Sequence, residues 1–283
     1  MWGAGLVAGA PYGCAMCRML GYLGDPASLG SLVAAPPHSL VRQSWAAREL
    51  VSATVNADGW GAGVYVEGDP APCIYASTLP VWADANLPHL GRALRSTCVL
   101  AAVRSATDPL TVAHANTQPF GAGPLLFLHN GFVQGFRSHV RRRLCGALSD
   151  QRFAGIAGTT DSEHLFALVL EELDRRGGPG GGPEPLLDAA AAAVRKMIGW
   201  AREAHAQAHF AVILADGASL VALRVATEPE PPSLYVLPEP GAIAPGVIVA
   251  SERLDEDPRW QRIPAGHGVI AKRGEVPRTV ALP

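Results

Sequence analysis

Cys17 follows Met16 directly in "YGCAMCRMLGYLG" (residues 12–24), sixteen residues into a chain that already opens with Met1. A thiol attacks a carbonyl only after losing its proton, and a cysteine at the start of a chain carries its own base. The free α-amine has a pKa of about 8 and can take the thiol proton directly or through a water. Cys17 becomes such a residue if translation begins at Met16 and that methionine is lost, or if residues 1–16 are cleaved away. Taken alone, Cys17 also reads as a small buried hydrophobe. With Cys14 it has the spacing of half a zinc site, but no second Cys or His pair is suitably spaced, so no metal is expected.

Three further stretches supply what such a nucleophile needs. In "AAVRSATDP" Arg104 stands at the end of an expected strand with Thr107 close behind, and a guanidinium there can grip a carboxylate through two parallel hydrogen bonds. In "FLHNGFV" the Asn130 amide and the Gly131 N–H could converge on a developing oxyanion, glycine allowing close approach of the backbone. In "GTTDSEH" Asp161 lies in the first turn of an expected helix, where it could accept a substrate ammonium group. Each has a plain structural alternative: Arg104 pairing with a surface acid, Asn130-Gly131 as a hairpin turn, Asp161 complementing a helix dipole. The chemical reading rests on finding a thiol, a carboxylate grip, an oxyanion site and an ammonium site in one chain.

Stepping outward from these residues, short apolar runs bounded by Gly or Pro predict strands at 61–66, 97–103, 124–130, 209–215, 219–225 and 246–252. Asp216-Gly217 predicts a hairpin between the fourth and fifth, because glycine accepts the positive φ of a tight primed turn. Helical patterns cover 132–148, 161–175 and 185–206, the second opening on a capping box formed by Thr160 and Glu163. Strands, then helices, then strands again suit an α+β domain with helices packed on antiparallel sheets.

The 283 residues are 48 % hydrophobic and 17 % charged with a net charge of -2, a balance that points to a soluble globular protein and gives no field for nucleic acid or an acidic membrane. The basic run 137–143 reads as one solvated helix face. No apolar stretch reaches the roughly 18 residues of a membrane span, no secretory signal is evident, and five scattered cysteines suit a reducing cytoplasm.

Met16-Cys17-Arg18, "NADGWGAGVY" (56–65), "RSAT" (104–107), "HNG" (129–131) and "TTDSE" (159–163) together resemble the class II glutamine amidotransferases of the N-terminal-nucleophile hydrolase superfamily. "MCRMLGYLG", "PPHSLVRQSW", "VNADGWGAG", "LAAVRSAT", "HNGFV" and "VASERLDEDPRW" are similar to its stand-alone ergothioneine-biosynthesis branch, which cleaves γ-glutamyl-hercynylcysteine sulfoxide. The resemblance implies a four-layer αββα sandwich over 17–283, with 1–16 an extension absent from the mature protein. It implies a γ-glutamyl thioester on Cys17, Asn130 and Gly131 as oxyanion hole, Arg104 and Thr107 on the substrate α-carboxylate, Asp161 on its α-ammonium, and no cofactor. Asp58-Gly59-Trp60-Gly61 is expected to shape the pocket, and Tyr22, Trp45, Trp60 and Trp82 are aromatic candidates for a trimethylated leaving group. Arg104-Ser105-Ala106-Thr107-Asp108-Pro109 departs from the Arg-Trp-Ala-Thr-His-Gly of many amidotransferases, which leaves room for a substrate other than glutamine. The alternatives are a glutaminase subunit serving a synthase partner, or a silent γ-glutamyl-binding module.

Overall fold

The computed structural model describes residues 17–49, 55–105, 112–241 and 243–282. Its strands are β1 (Arg18–Ser28), β2 (Trp60–Val64), β3 (Cys73–Ser77), β4 (Arg95–Val103), β5 (Phe120–Ala122), β6 (Leu125–Val133), β7 (Ala208–Ala215), β8 (Ser219–Ala226), β9 (Tyr235–Pro238), β10 (Gly246–Ala250), β11 (Gln261–Arg262), β12 (His267–Lys272) and β13 (Arg278–Ala281). The α-helices are α1 (Leu29–Val33), α2 (Leu40–Ala46), α3 (Leu87–Ala93), α4 (Arg141–Gly146), α5 (Asp150–Ala154), α6 (Asp161–Asp174) and α7 (Pro183–Glu203).

The strands form two antiparallel sheets, ordered β11-β9-β10-β1-β4-β2-β3 and β13-β12-β8-β7-β6-β5. Side chains alternate across a strand, so each sheet must bury both faces against different layers. Leu20, Tyr22, Val99 and Ala101 point outward under α1–α3, where Leu29, Leu32 and Leu40 meet them. Met19, Leu23, Leu100 and Ala102 point inward against Leu126, Leu128, Ala211 and Ile213 of the second sheet. Phe127, Phe210 and Leu223 face out on the far side, beneath Leu165, Leu168, Leu187 and Met197 of α6 and α7. The layers are thus helix, sheet, sheet, helix, as the αββα expectation required. None of the helices among the described residues is long and apolar enough to cross a membrane.

β1 was absent from the expected strands because "RMLGYLGDPAS" carries two glycines and a proline and lacks a polar face. Burial on both sides explains the continuous apolar run. Gly21 has a packing reason: a Cβ there would lie 2.8 Å from the Leu220 side chain and 2.9 Å from that of Ile213. The short strands β3, β5, β9 and β11, with β12 and β13, were also not anticipated.

Two local expectations are corrected. The helix expected over 132–148 begins later, because β6 continues to Val133, paired with β7 from Leu126–Ala215 through Val133–Ala208. Gly135, at φ 62°, breaks the strand, a π-helical turn covers Phe136–Val140, and α4 follows. The basic run is therefore divided between two elements, Arg137, Arg142 and Arg143 exposed but Arg141 half-buried against His164. The capping box at α6 is only half formed. Thr160 Oγ1 accepts the Glu163 N–H at 3.2 Å, but the Glu163 carboxylate accepts from the N–H groups of Ala157 (2.8 Å) and Gly158 (2.6 Å). The preceding loop offers that carboxylate two donors where the capping box offers one.

The hairpin between β7 and β8 forms as expected. Gly217, φ 88°, occupies the first central position of the turn, and Asp216 accepts from the N–H groups of Ala218 and Ser219. A Cβ on Gly217 would also lie 2.7 Å from the Tyr65 ring. Gly217→Ala should therefore cost about 1–2 kcal/mol, read as a lower urea midpoint at unchanged m-value.

Candidate functional site

The alternation of the strands decides where the expected site residues point. Inward-facing positions on β1 are odd (Met19, Leu23), on β4 even (Cys98, Leu100, Ala102) and on β6 even (Leu126, Leu128). Continuing each series by two residues brings Cys17, Arg104 and Asn130 into the gap between the sheets. They share one end of it, because Arg18 pairs with Val103, and Asp161 at the start of α6 is tied to β6 by accepting the Val133 N–H at 2.9 Å. The same register puts Gly59 beside Arg104, whose N–H donates to the Gly59 carbonyl at 2.8 Å, while Asp58 N–H donates to the Arg104 carbonyl at 3.0 Å.

Cys17 is half-buried one residue before β1, its thiol 3.9 Å from the Ser105 carbonyl. Burial pushes the thiol pKa up; the Ser105 contact and the charges of Arg104 and Arg18 oppose this, and Asp161 adds to it. A nucleophile in that environment needs a base to take its proton. Asn130 is wholly buried, and neither its Oδ1 nor its Nδ2 has a hydrogen-bond partner. An unpaired buried amide costs about 1–3 kcal/mol, and Asn130 has the chemistry to donate to a ligand oxygen entering the inter-sheet gap.

Gly131 is required by close packing: a Cβ would fall 1.9 Å from the His209 carbonyl oxygen and 2.6 Å from His129 Nε2. Asn130 and Gly131 thus lie within a paired strand, which removes the hairpin alternative. The preceding residue anchors them. Gln118 clamps the His129 backbone, accepting its N–H at 2.6 Å and donating to its carbonyl at 2.9 Å. Burial lowers the His129 pKa, keeping the ring neutral. Its Nε2 faces the His209 carbonyl at 3.2 Å, which can only accept, so Nδ1 accepts from the Ser162 hydroxyl at 2.9 Å.

Asp161 takes the Val133 and Ser162 N–H groups, one on each oxygen, and keeps lone pairs for a further cation. It is more than a partner for the helix dipole. Arg104 is buried, with Nη1 fully covered. Thr107 lies outside the described residues. The structure therefore gathers Cys17, Arg104, Asn130, Gly131 and Asp161 at one end of the sandwich.

Trp60, expected in the pocket-shaping loop, instead begins β2, buried with its indole N–H on Asp84 at 2.8 Å. Tyr22 is equally buried, its hydroxyl donating to the Asp25 carbonyl at 2.6 Å. Of the four aromatic candidates only Trp45 and Trp82 reach the surface, packed edge to face at 5.6 Å. The sequence reading gave no role to Gln118, Ser162 or the buried trio Arg18, His38 and Glu252. The last three lay in motifs quoted above, and their charged or polar character inside apolar stretches was the available signal.

Residues 32–232 match the family model of the class-II glutamine amidotransferases. A γ-glutamyl-hercynylcysteine sulfoxide hydrolase of Mycolicibacterium smegmatis is 33 % identical over 261 residues, 92 % of this chain and 98 % of that one. The protein of the same name from Mycobacterium tuberculosis strain CDC 1551 / Oshkosh is 31 % identical over 260 residues, 92 % of this chain and 94 % of that one. Among solved structures, a class-II glutamine aminotransferase domain protein from Silicibacter pomeroyi superposes with a TM-score of 0.68 at 24 % identity, covering 94 % of this chain and all of that one. The chain belongs to the class-II glutamine amidotransferase family and has its N-terminal-nucleophile hydrolase fold. It is an enzyme of the amide-hydrolysing kind.

Asn130→Leu, nearly isosteric, removes a buried amide that has no partner in the resting protein. It should lower kcat about 10²–10³-fold while leaving the thermal midpoint unchanged or slightly raised, measured by glutamate release and by calorimetry on one preparation.

Proposed function

We propose that the protein cleaves the γ-glutamyl amide of γ-glutamyl-hercynylcysteine sulfoxide in the cytoplasm, releasing glutamate and hercynylcysteine sulfoxide in ergothioneine biosynthesis. The working form is residues 17–283, a single amidotransferase-type domain in which Cys17 is the first residue and residues 1–16 are absent. The observation that carries the reading is the unpaired, wholly buried Asn130 amide at the same end of the inter-sheet gap as Cys17, Arg104 and Asp161. The mycobacterial hydrolases, alike over nearly their whole length, support the choice of substrate.

In this mechanism the Cys17 α-amine takes the thiol proton, and the thiolate attacks the γ-carbonyl carbon. The carbonyl oxygen becomes an oxyanion held by Asn130 Nδ2 and the Gly131 N–H, worth roughly 3–4 kcal/mol for each donor. Collapse breaks the C–N bond, the leaving amine takes the proton from the α-ammonium, and a γ-glutamyl thioester remains on Cys17. Water, deprotonated by the same amine, then attacks the thioester; glutamate leaves and the thiol is restored. Arg104 and Thr107 hold the substrate α-carboxylate and Asp161 its α-ammonium, which fixes the γ-carbon against the sulfur. The uncommitted lone pairs of Asp161 suit that task.

Glutamate release from a panel of γ-glutamyl compounds, using protein beginning at Met16, tests this. Turnover should be highest on the sulfoxide conjugate, poor on free glutamine and absent in Cys17→Ala. Equal or better turnover of glutamine, rising with a partner protein, would make the chain a glutaminase subunit, and no turnover of any compound would make it a binding module. Intact mass of active protein from its native host should show Cys17 as the first residue; residues 1–16 still attached would overturn the mechanism.

A further inference from the structure

Three motifs left without a role meet in one buried cluster behind Cys17. The Glu252 carboxylate, just beyond β10, lies 2.8 Å from Arg18 Nε and 2.6 Å from His38 Nε2. It also accepts the N–H groups of Arg48 at 2.9 Å and Glu49 at 3.0 Å. Arg18, Glu252 and His38 are all buried. Burial disfavours the charged form of Glu252, yet the His38 hydrogen bond, the Arg18 charge and the two backbone N–H groups bring its pKa to about 2.

The guanidinium anchored in this way turns its Nη1 to the carbonyl of Cys17, donating at 2.8 Å. This contact falls where the sheet stops helping. The β1–β4 ladder ends at Arg18–Val103, and Met19 is pinned by mutual bonds with Ser251, its N–H donating to Ser251 Oγ and its carbonyl accepting the Ser251 N–H, both at 3.0 Å. Cys17 lies one residue further out, and the Arg18 side chain holds its backbone. The outward direction of Arg18, opposite to that of Cys17, lets it grip the main chain from behind without entering the gap.

A buried ion pair gains little stability over an apolar pair of similar size, because removing two charges from water costs several kcal/mol per ion. What it supplies is fixed geometry. We propose that Glu252 and Arg18 are positioning residues for the nucleophile: Glu252 locks the guanidinium, the guanidinium locks the Cys17 carbonyl, and the thiol and α-amine are thereby held at attack distance. Through the Arg48 and Glu49 N–H groups the same carboxylate also holds the residues that follow α2. This rests on the reading of Cys17 as nucleophile.

The test uses protein beginning at Met16 and compares Glu252→Gln, Arg18→Met and the double variant Arg18→Met/Glu252→Leu, which removes both charges and so avoids a lone buried ion. Each should lower kcat about 10–100-fold with KM within about three-fold of the parent, the signature of lost orientation rather than lost binding. Iodoacetamide labelling of Cys17, followed by peptide mass spectrometry, supplies a readout independent of substrate. The charged groups acting on the thiol are Arg104 just beyond β4, Asp161 from α6, Arg18 itself and, with Cys17 as first residue, its own α-ammonium. Arg18→Met removes a cation that favours thiolate, so the labelling midpoint should move to higher pH. Simple loosening would expose the thiol and move it lower. A lower midpoint in Arg18→Met, kcat within two-fold of the parent in all three variants, or failure of all three to fold would each overturn the proposal. Activity surviving in Cys17→Ala would sink the nucleophile reading instead, and the labelling data would still judge the Arg18–Glu252 hold.

Discussion

The site depends on one constraint: two twisted sheets packed face to face must keep their inward side chains in register with each other. Met19, Leu100, Leu128 and Ile213 fill that interface, all essentially without solvent contact. Each contributes roughly 1.5–3 kcal/mol through burial, and a one-residue slip in any strand would turn its whole inward set outward. The residues continuing those series past the packed core are Cys17, Arg104 and Asn130. Their convergence follows from the packing of ordinary apolar residues several positions away, which makes the positions at the open end available for polar groups the core could not accept.

The electrostatics at that end are arranged asymmetrically. Two guanidiniums, Arg104 and Arg18, favour the Cys17 thiolate, while burial and Asp161 oppose it. Arg18 is compensated by Glu252 on the far side of the sheet, so its charge is shared between that carboxylate and Cys17. Asp161 accepts two backbone N–H groups at the same end of the gap. On the reading proposed above, a zwitterionic amino-acid head would complement Arg104 and Asp161, its carboxylate toward the first and its ammonium toward the second.

Much of this was legible in the sequence, and the reasons for the exceptions are physical. The inner strands β4, β7, β8 and β10 and the helices α6 and α7 announce themselves by apolar runs and periodicity, and the Asp216-Gly217 turn by its chemistry. β1 escaped notice because its glycines answer to the opposite sheet, which no local pattern reveals. The end of β6 was assigned to a helix because Asn130-Gly131 read as the end of the strand, whereas pairing with β7 carries it on to Val133 and outweighs local propensity. Trp60 was expected to shape the pocket because the motif containing it resembles the family's, whereas its indole N–H is committed to Asp84 in the core.

The site shows the same division between what spacing reveals and what only tertiary structure supplies. Cys17, Arg104, Asn130, Gly131 and Asp161 could be singled out as candidates because each carries its chemistry in its own side chain or in glycine's lack of one. Arg18 and Glu252 were not, since they act through the backbone of another residue and are 234 positions apart, by subtraction of their numbers. A buried carboxylate that joins the nucleophile's strand to the far end of the chain makes the placement of Cys17 depend on completion of β10 and on the closing of the helix layer by His38. On the proposed mechanism, Cys17 would therefore reach its attack geometry only when most of the first sheet has assembled, and an incompletely folded chain would hold a thiol without the orientation to use it.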